Sequence, residues 1–180
     1  MFKFFIQLFL LTIFFTLSSY SKNYEKIIIN GNERISNETI LVFSEIKDNK
    51  LLDENSINEI LKKLYKSGFF KDVTVKIEDN NLTIDVLENP IIQTVFIEGI
   101  KRKKTEESLY KILSLKNRSS YNLTSIKKDE AAILSFLKDD GYYFSKVTSS
   151  YQDLRDNKID LLYQIELGEK SKISKISFIG

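Results

Sequence analysis

The sequence predicts an α+β fold of tandem β-α-α-β-β domains, each a three-stranded sheet covered by two antiparallel helices. First, three short β-rich runs end on glycine: "KIIING" (26–31), "TVFIEG" (94–99) and "KISFIG" (175–180). Second, helical and then strand-like patterns follow the first two runs in the same order. Third, a glycine and two aromatic residues separate helix from strand twice, as "GFF" and "GYY". Self-similarity of this kind indicates a structural repeat.

The first unit contains two predicted helices, at 36–46 and 53–66. Asp53 is predicted to be the N-cap of the second helix, because its carboxylate can accept a hydrogen bond from a backbone N–H of the first turn. Gly68 lies where a helix needs a left-handed residue after its C-terminus. The second helix has apolar residues at i, i+3, i+4, i+7 and i+8, which predicts one core-facing stripe: Ile57, Ile60, Leu61, Leu64 and Tyr65.

Two alternating strands complete the first unit. Residues 73, 75 and 77 are predicted to face the core, and after the turn "EDNN" so are residues 82, 84 and 86. The aromatic residues after Gly68, including Phe70, are expected to fold back onto the helix and the sheet as a plug.

The second unit repeats this order with a strand at 92–97, a helix that opens at Thr105 and a helix at about 122–138. Gly141 and Tyr143 are predicted to play the parts of Gly68 and Phe70. A strand through residues 147, 149 and 151 and a return strand through 159–165 follow.

These patterns divide the chain into four segments. Residues 1–21 predict a secretory signal peptide, since one lysine precedes a short apolar run and serines lie at 19 and 21. The first repeat is predicted at 22–89 and the second at 90–169. Residues 170–180 predict the first strand of a truncated third repeat, so we expect the chain to be either a fragment of a longer polypeptide or a truncated gene product.

Composition restricts the function. The net charge of +2 is too balanced for a dedicated nucleic-acid binder. Because Cys and His are both absent, disulfides, thiol nucleophiles, His-dependent triads and Cys or His metal sites are excluded. We expect no metal, no cofactor and no enzymatic activity. The basic run 101–104 has two interpretations: a solvated loop before a helix, which we favour, or a contact with anionic lipid headgroups.

The junction of helix and strand carries a family resemblance. Leu64, Gly68, Phe70, Asp72 and Val73 match the helix ending Leu-x-x-x-Gly-x-Phe and the start of the next strand in POTRA domains. The ending Val-x-Glu-x-Pro is present at 86–90. The chain from about residue 24 to 180 therefore resembles the POTRA repeats of the outer-membrane protein assembly factor BamA family, without the later repeats and the membrane barrel.

The resemblance implies a periplasmic scaffold that captures unfolded outer-membrane β-barrel proteins. It also implies accessory periplasmic lipoproteins and periplasmic chaperones as partners, export to the periplasmic side of the bacterial outer membrane, and membrane association through a missing C-terminal barrel. Two alternatives remain open: a two-partner secretion transporter, or a divisome docking protein of the FtsQ kind. For the N-terminus, the alternative to a cleaved signal peptide is an uncleaved anchor, which goes with the divisome interpretation.

An exposed sheet edge is the predicted binding feature, because it offers unpaired backbone N–H and C=O groups. The resemblance places the strand after each second helix at an edge, with these partner-binding residues: Asp72, Val73, Thr74, Val75, Lys76, Lys146, Val147, Thr148 and Ser149. Since the side chains of Thr74 and Thr148 are expected to face away from the core, proline at either is expected to block the edge. Asn89 and Pro90 are predicted to form an inter-repeat hinge.

Overall fold

A computed structural model describes residues 23–46, 52–172, 175 and 177 of the chain. The predicted signal peptide and most of the predicted third-repeat strand lie outside the described residues. The described chain divides into two compact units: the first ends at residue 67 and resumes at 72–87, and the second comprises residues 68–71 and continues from residue 88. Each unit has its own sheet and helices.

The first sheet has the order β1-β3-β2, and β1 runs parallel to β3. The central strand is therefore β3, and β1 and β2 are the edges. The elements of this part of the chain are β1 (Lys26–Asn30), α1 (Asn37–Ser44), α2 (Glu54–Lys66), β2 (Phe70–Glu78) and β3 (Asn81–Glu88).

Both helices of the first unit begin at a capping side chain. The Ser36 hydroxyl accepts the Thr39 N–H at 3.3 Å, and the Asp53 carboxylate accepts the Ser56 N–H at 2.8 Å. The second cap confirms the N-terminus predicted at Asp53. The two helices and β3 contribute the fully buried apolar side chains of this unit: Ile40, Leu64, Leu82 and Ile84.

The second sheet repeats the topology with the order β4-β6-β5. Its central strand β6 pairs parallel with β4 and antiparallel with β5, so the mixed α+β fold predicted from the sequence is confirmed. The elements are β4 (Ile91–Glu98), α3 (Lys103–Ile112), α4 (Leu123–Asp139), β5 (Lys146–Asp153) and β6 (Lys158–Glu166). Across the described ranges, no helix combines the length and the apolarity that crossing a membrane requires.

Helix α3 begins earlier than the predicted start at Thr105. Lys103 and Lys104 form its first turn, so half of the basic run 101–104 is helical rather than loop. The N-cap Arg102 contributes no side-chain hydrogen bond to the first turn. The helix start is instead closed by main-chain bonds, in which the N–H groups of Thr105 and Glu106 donate to the carbonyl of Arg102.

The glycines of the two aromatic junctions have the predicted left-handed conformation, with φ of +76° at Gly68 and +90° at Gly141. At the second junction the Gly141 N–H donates to the Lys138 carbonyl, and the Tyr142 N–H donates to the Leu137 carbonyl, both at 2.9 Å. This pair of bonds is a Schellman motif, which satisfies carbonyls at the end of α4.

The two junctions differ in their aromatic residues, and the predicted plug is wrong for Tyr143. Phe70 is 3% exposed, whereas Tyr143 is 57% and Phe144 is 75% exposed. In the second unit a turn separates glycine from strand, with the Ser145 N–H 3.5 Å from the Tyr142 carbonyl. This turn rotates Tyr143 into solvent, and Tyr142 packs partly against the core instead.

Candidate functional site

The candidate site is a sheet edge, and the described residues of the two units present four: β1, β2, β4 and β5. An edge can receive another strand only where its outward N–H and C=O groups have no partner already. The edges therefore differ in what covers them.

The edge of β4 is covered by residues 114–121, which we call the capping segment. The Ile92 N–H donates to the Ser119 carbonyl at 2.9 Å, and the Arg118 N–H donates to the Ile92 carbonyl at 2.7 Å. Farther along the strand, the Val95 N–H donates to the Asn117 side-chain oxygen at 3.0 Å. These bonds occupy the outward N–H and C=O groups of Ile92 and the outward N–H of Val95, which an incoming strand would need.

Asp129 anchors the capping segment from inside the core. Its carboxylate accepts the Ser114 N–H at 2.6 Å, the Ser114 hydroxyl at 2.7 Å, the Leu115 N–H at 3.0 Å and the Tyr163 hydroxyl at 3.0 Å. Asp129 is 2% exposed. Burial of the Tyr163 hydroxyl, together with the negative charge of Asp129 beside it, raises the pKa of Tyr163 above the ordinary value. Four donors thus satisfy one buried carboxylate, as a buried charge requires.

The edge of β5 is open. The Leu154 N–H donates to the Lys158 carbonyl at 2.9 Å, which makes these two residues a hydrogen-bonded pair. Because such pairs alternate along an antiparallel ladder, the N–H of Thr148, opposite Gln164, also faces β6. The backbone N–H and C=O groups that point away from the sheet belong to the alternate residues of β5: Val147, Ser149 and Tyr151. In the described part of the chain, no strand lies beyond them.

The edge of β2 is partly occupied. The Val73 N–H donates to the Tyr65 hydroxyl at 3.1 Å and to the Asp72 carboxylate at 3.0 Å. The Tyr65 hydroxyl in turn donates to the Asp72 carboxylate at 2.9 Å. The backbone N–H of Val73 therefore points away from the sheet. Because hydrogen-bond direction alternates along the strand, the backbone N–H and C=O groups of Thr74 point to β3 and those of Val75 point away from the sheet.

The predicted partner-binding residues fall into two groups by the direction of their backbone. Four have outward N–H and C=O groups: Val73, Val75, Val147 and Ser149. The N–H and C=O groups of the other five face the central strand: Asp72, Thr74, Lys76, Lys146 and Thr148. The partner-binding role of all nine remains a prediction.

Thr74 and Thr148 are the wrong places for a blocking proline. Along an antiparallel pair, side-chain direction and hydrogen-bond direction alternate together. The residues with open N–H groups are those whose side chains lie on the helix-covered face, and proline at Thr148 would break the ladder to Gln164.

The predicted hinge residues both take part in main-chain hydrogen bonds. Asn89 is 8% exposed; its N–H donates to the Phe69 carbonyl at 2.7 Å and its side-chain amide to the Gly68 carbonyl at 3.0 Å. The Pro90 carbonyl accepts the Tyr121 N–H at 2.8 Å. Their role as a hinge remains a prediction.

Sequence reasoning missed Asp129 and the capping segment. The pattern of α4 assigns Glu130 to the core stripe, but the structure buries Asp129 beside Ile126 and Ile133. A signal existed, because a carboxylate at this position interrupts an otherwise apolar face and needs donors from another element. Those donors come from a stretch with no periodicity, "LSLKNRSSY", which the sequence identifies only as a connection.

The fold and its edges define a class: tandem α+β repeats built on three-stranded mixed sheets, with an edge strand after the second helix of each repeat. The profile of one family, described as "POTRA: Surface antigen variable number repeat", matches residues 23–89 and 90–168. The chain belongs to the POTRA family.

Curated relatives are similar to most of this chain. The chain is 26% identical over 162 residues to the outer membrane protein assembly factor BamA of Neisseria meningitidis serogroup B, covering 87% of this chain and 20% of that protein. It is 28% identical over 178 residues to the BamA of Nitratidesulfovibrio vulgaris, covering 87% and 22%. The chain thus spans about a fifth of the length of these relatives.

Solved structures share the fold. The N-terminal domain of Omp85 from Thermosynechococcus elongatus superposes with a TM-score of 0.59 at 17% identity, covering 81% of this chain and 63% of that one. The first two POTRA domains of the periplasmic domain of Omp85 from Anabaena superpose with a TM-score of 0.55 at 14% identity, covering 84% and 100%.

Proposed function

We propose that this chain is the periplasmic binding region of an outer-membrane β-barrel assembly factor. On this proposal it captures unfolded outer-membrane proteins by pairing them with an open sheet edge. Membership of the POTRA family and the similarity to proteins named outer membrane protein assembly factor BamA support the setting. The chain acts as a scaffold, and residues 1–21 direct its export.

The observation that carries the proposal is the contrast between the two edges of the second sheet. The capping segment bonds to the outward groups of β4 at Ile92 and Val95, whereas those of β5 have no strand beyond them in the described ranges. Proteins usually cover or interrupt exposed edges because such edges recruit other chains. An edge left open beside a covered one is therefore suited to receive an extended segment.

Main-chain pairing suits a scaffold that must accept many clients. The bonds are made by backbone groups that every sequence possesses, so affinity depends little on the client's side chains. Accessory periplasmic lipoproteins and chaperones belong to the same proposal as partners on other surfaces, and a C-terminal barrel in a longer protein would provide the membrane attachment.

The test replaces an outward donor of β5. Val147→Pro removes one open N–H without touching the ladder to β6, and edge strands tolerate proline. We expect binding of an unfolded outer-membrane protein segment to weaken by about fivefold, since one main-chain hydrogen bond of roughly 1 kcal/mol is lost. The measurement is a fluorescence titration, with circular dichroism to verify folding.

The matched control is Val147→Ala, which shortens the same side chain but retains the N–H. We expect it to bind nearly as the wild type does. Equal affinity of folded Val147→Pro and the wild type would overturn pairing at β5.

A further inference from the structure

A line of side chains on α4 runs along the open edge of β5. The Ser149 hydroxyl donates to the Glu130 carboxylate at 2.6 Å, which fixes the side of the helix that faces this edge. Lys127, Leu134 and Leu123 are three, four and seven residues from Glu130 and so lie on the same side. We call these four residues the α4 stripe.

The stripe has apolar ends and a charged centre. Leu123 is 60% exposed and Leu134 is 37% exposed, although the adjacent face of the same helix is buried in the core of the repeat. Beyond Leu123, the rings of Tyr121 and Tyr151 meet edge to face with centroids 5.2 Å apart. An apolar surface at each end therefore borders the backbone groups that an added strand would use.

The centre is a carboxylate held in its charged form. Glu130 receives the Lys127 ammonium at 2.7 Å as well as the Ser149 hydroxyl, and its side chain is 12% exposed. Burial raises the pKa of Glu130, but the bonds from Lys127 and Ser149 outweigh burial and leave the pKa below the ordinary value. Ser149 and Lys127 already donate to Glu130, so a donor on an added strand can use the remaining lone pairs of this carboxylate, whereas a second carboxylate would need donors that the site has committed to Glu130.

The stripe is about 3 Å longer than the span from residue i to residue i+4 of a strand. Leu123 and Leu134 are separated by about 16 Å along the helix at its rise of roughly 1.5 Å per residue. Four residues of strand cover about 13 Å, and side chains at i, i+2 and i+4 share one face. An added strand would present its side chains at i, i+2 and i+4 to the helix. They would thus lie beside Leu134, beside Glu130, and beside Leu123 together with Tyr151, respectively.

We propose that the α4 stripe selects the segments that pair with β5, favouring an apolar residue at i, a hydrogen-bond donor at i+2 and an apolar or aromatic residue at i+4. The occupant is an extended strand with alternating apolar residues on one face and no carboxylate at its centre. Because the pattern reads the same in both directions, it holds for parallel and antiparallel docking. This proposal rests on the proposed function, since it specifies the client of the same edge.

The experiment compares two unstructured peptides that are identical except at i+2, one with Arg and one with Glu, flanked by Phe at i and i+4. We expect the protein to bind the Arg peptide about tenfold more tightly than the Glu peptide. In Glu130→Lys the preference is expected to reverse. A third peptide has Ser in place of Phe at both i and i+4. In Leu134→Ser we expect the gain from Phe over Ser to shrink, whereas Val42→Ser, at a 72% exposed position of α1, should retain it.

The outcomes separate this proposal from the proposed function. If Val147→Pro weakens binding of both peptides while Glu130→Lys leaves their ratio unchanged, edge pairing stands and selection by the α4 stripe is overturned. If folded Val147→Pro binds both peptides as the wild type does, pairing at β5 fails, whatever the ratio. Reversal in Glu130→Lys together with loss in Val147→Pro supports both.

Discussion

Two glycines at the ends of the parallel strands show how a single residue limits this fold. A Cβ atom on Gly99, after β4, would lie 1.8 Å from the Ile165 carbonyl oxygen. A Cβ atom on Gly31, after β1, would lie 2.1 Å from the Val86 carbonyl oxygen. The sequence shows both glycines as ends of β-rich runs, but it does not show that a neighbouring backbone passes against them.

We expect Gly99→Ala to destabilise the second repeat more than Gly141→Ala. Both positions have positive φ, which costs a side chain about 1–3 kcal/mol. At Gly99 the added methyl group also meets backbone, whereas at Gly141 the nearest neighbour is the flexible Lys170 side chain at 3.3 Å. Urea unfolding of both variants measures the difference, and equal free energies of unfolding would show that the close approach relaxes at no cost.

At the scale of elements, the capping segment determines which edge of the second sheet is available. It joins α3 to α4, pairs with β4 through backbone bonds, and is tied to α4 by Asp129. The helix that holds the cap on β4 is also the helix that borders the open edge of β5. One element thus closes one edge and shapes the other.

Removing the anchor is expected to release the cap. In Asp129→Ala the N–H groups of Ser114 and Leu115 lose their buried acceptor, at a cost of about 1–3 kcal/mol for each unsatisfied group. We expect faster hydrogen exchange at Ile92 and Arg118, measured by NMR. Tyr163→Phe removes only one donor to the carboxylate and should leave exchange at Arg118 nearly unchanged; fast exchange there would show that the hydroxyl is needed for the cap.

At the scale of the whole molecule, each repeat has a hydrophobic core of its own. The core of the second contains the fully buried Ile133, Leu137, Leu161 and Tyr163. The first buries Ile40, Leu64, Leu82 and Ile84. Repeats with separate cores are expected to respond separately to a core mutation.

Cavity mutations test this expectation. Leu82→Ala is expected to lower the free energy of unfolding of the first repeat by about 2–5 kcal/mol, and Ile133→Ala that of the second by a similar amount. Hydrogen exchange followed by mass spectrometry should show lost protection in β3 for the first variant and in β6 for the second. Loss in both strands from either single mutation would contradict separate cores.

The sequence by itself determined the fold class, the order of the elements and the two left-handed glycine caps. These follow from properties that act within about one helical turn or one hairpin: the period of apolar residues, the capping side chains and the freedom of glycine. The start of α3 and the aromatic plug at Tyr143 were predicted wrongly, because helix ends and turn lengths depend on small local differences.

Only the tertiary structure decided which edge is open and which residues border it. Whether Thr148 or Val147 has a free N–H depends on the register of β5 against β6, and a strand's own pattern does not contain that register. Whether Asp129 or Glu130 is buried depends on donors from other elements. Asp129 has its donors in the capping segment, and Glu130 has Ser149 of β5. Both are pairings between segments distant in sequence, and such pairings exist only once the chain has folded.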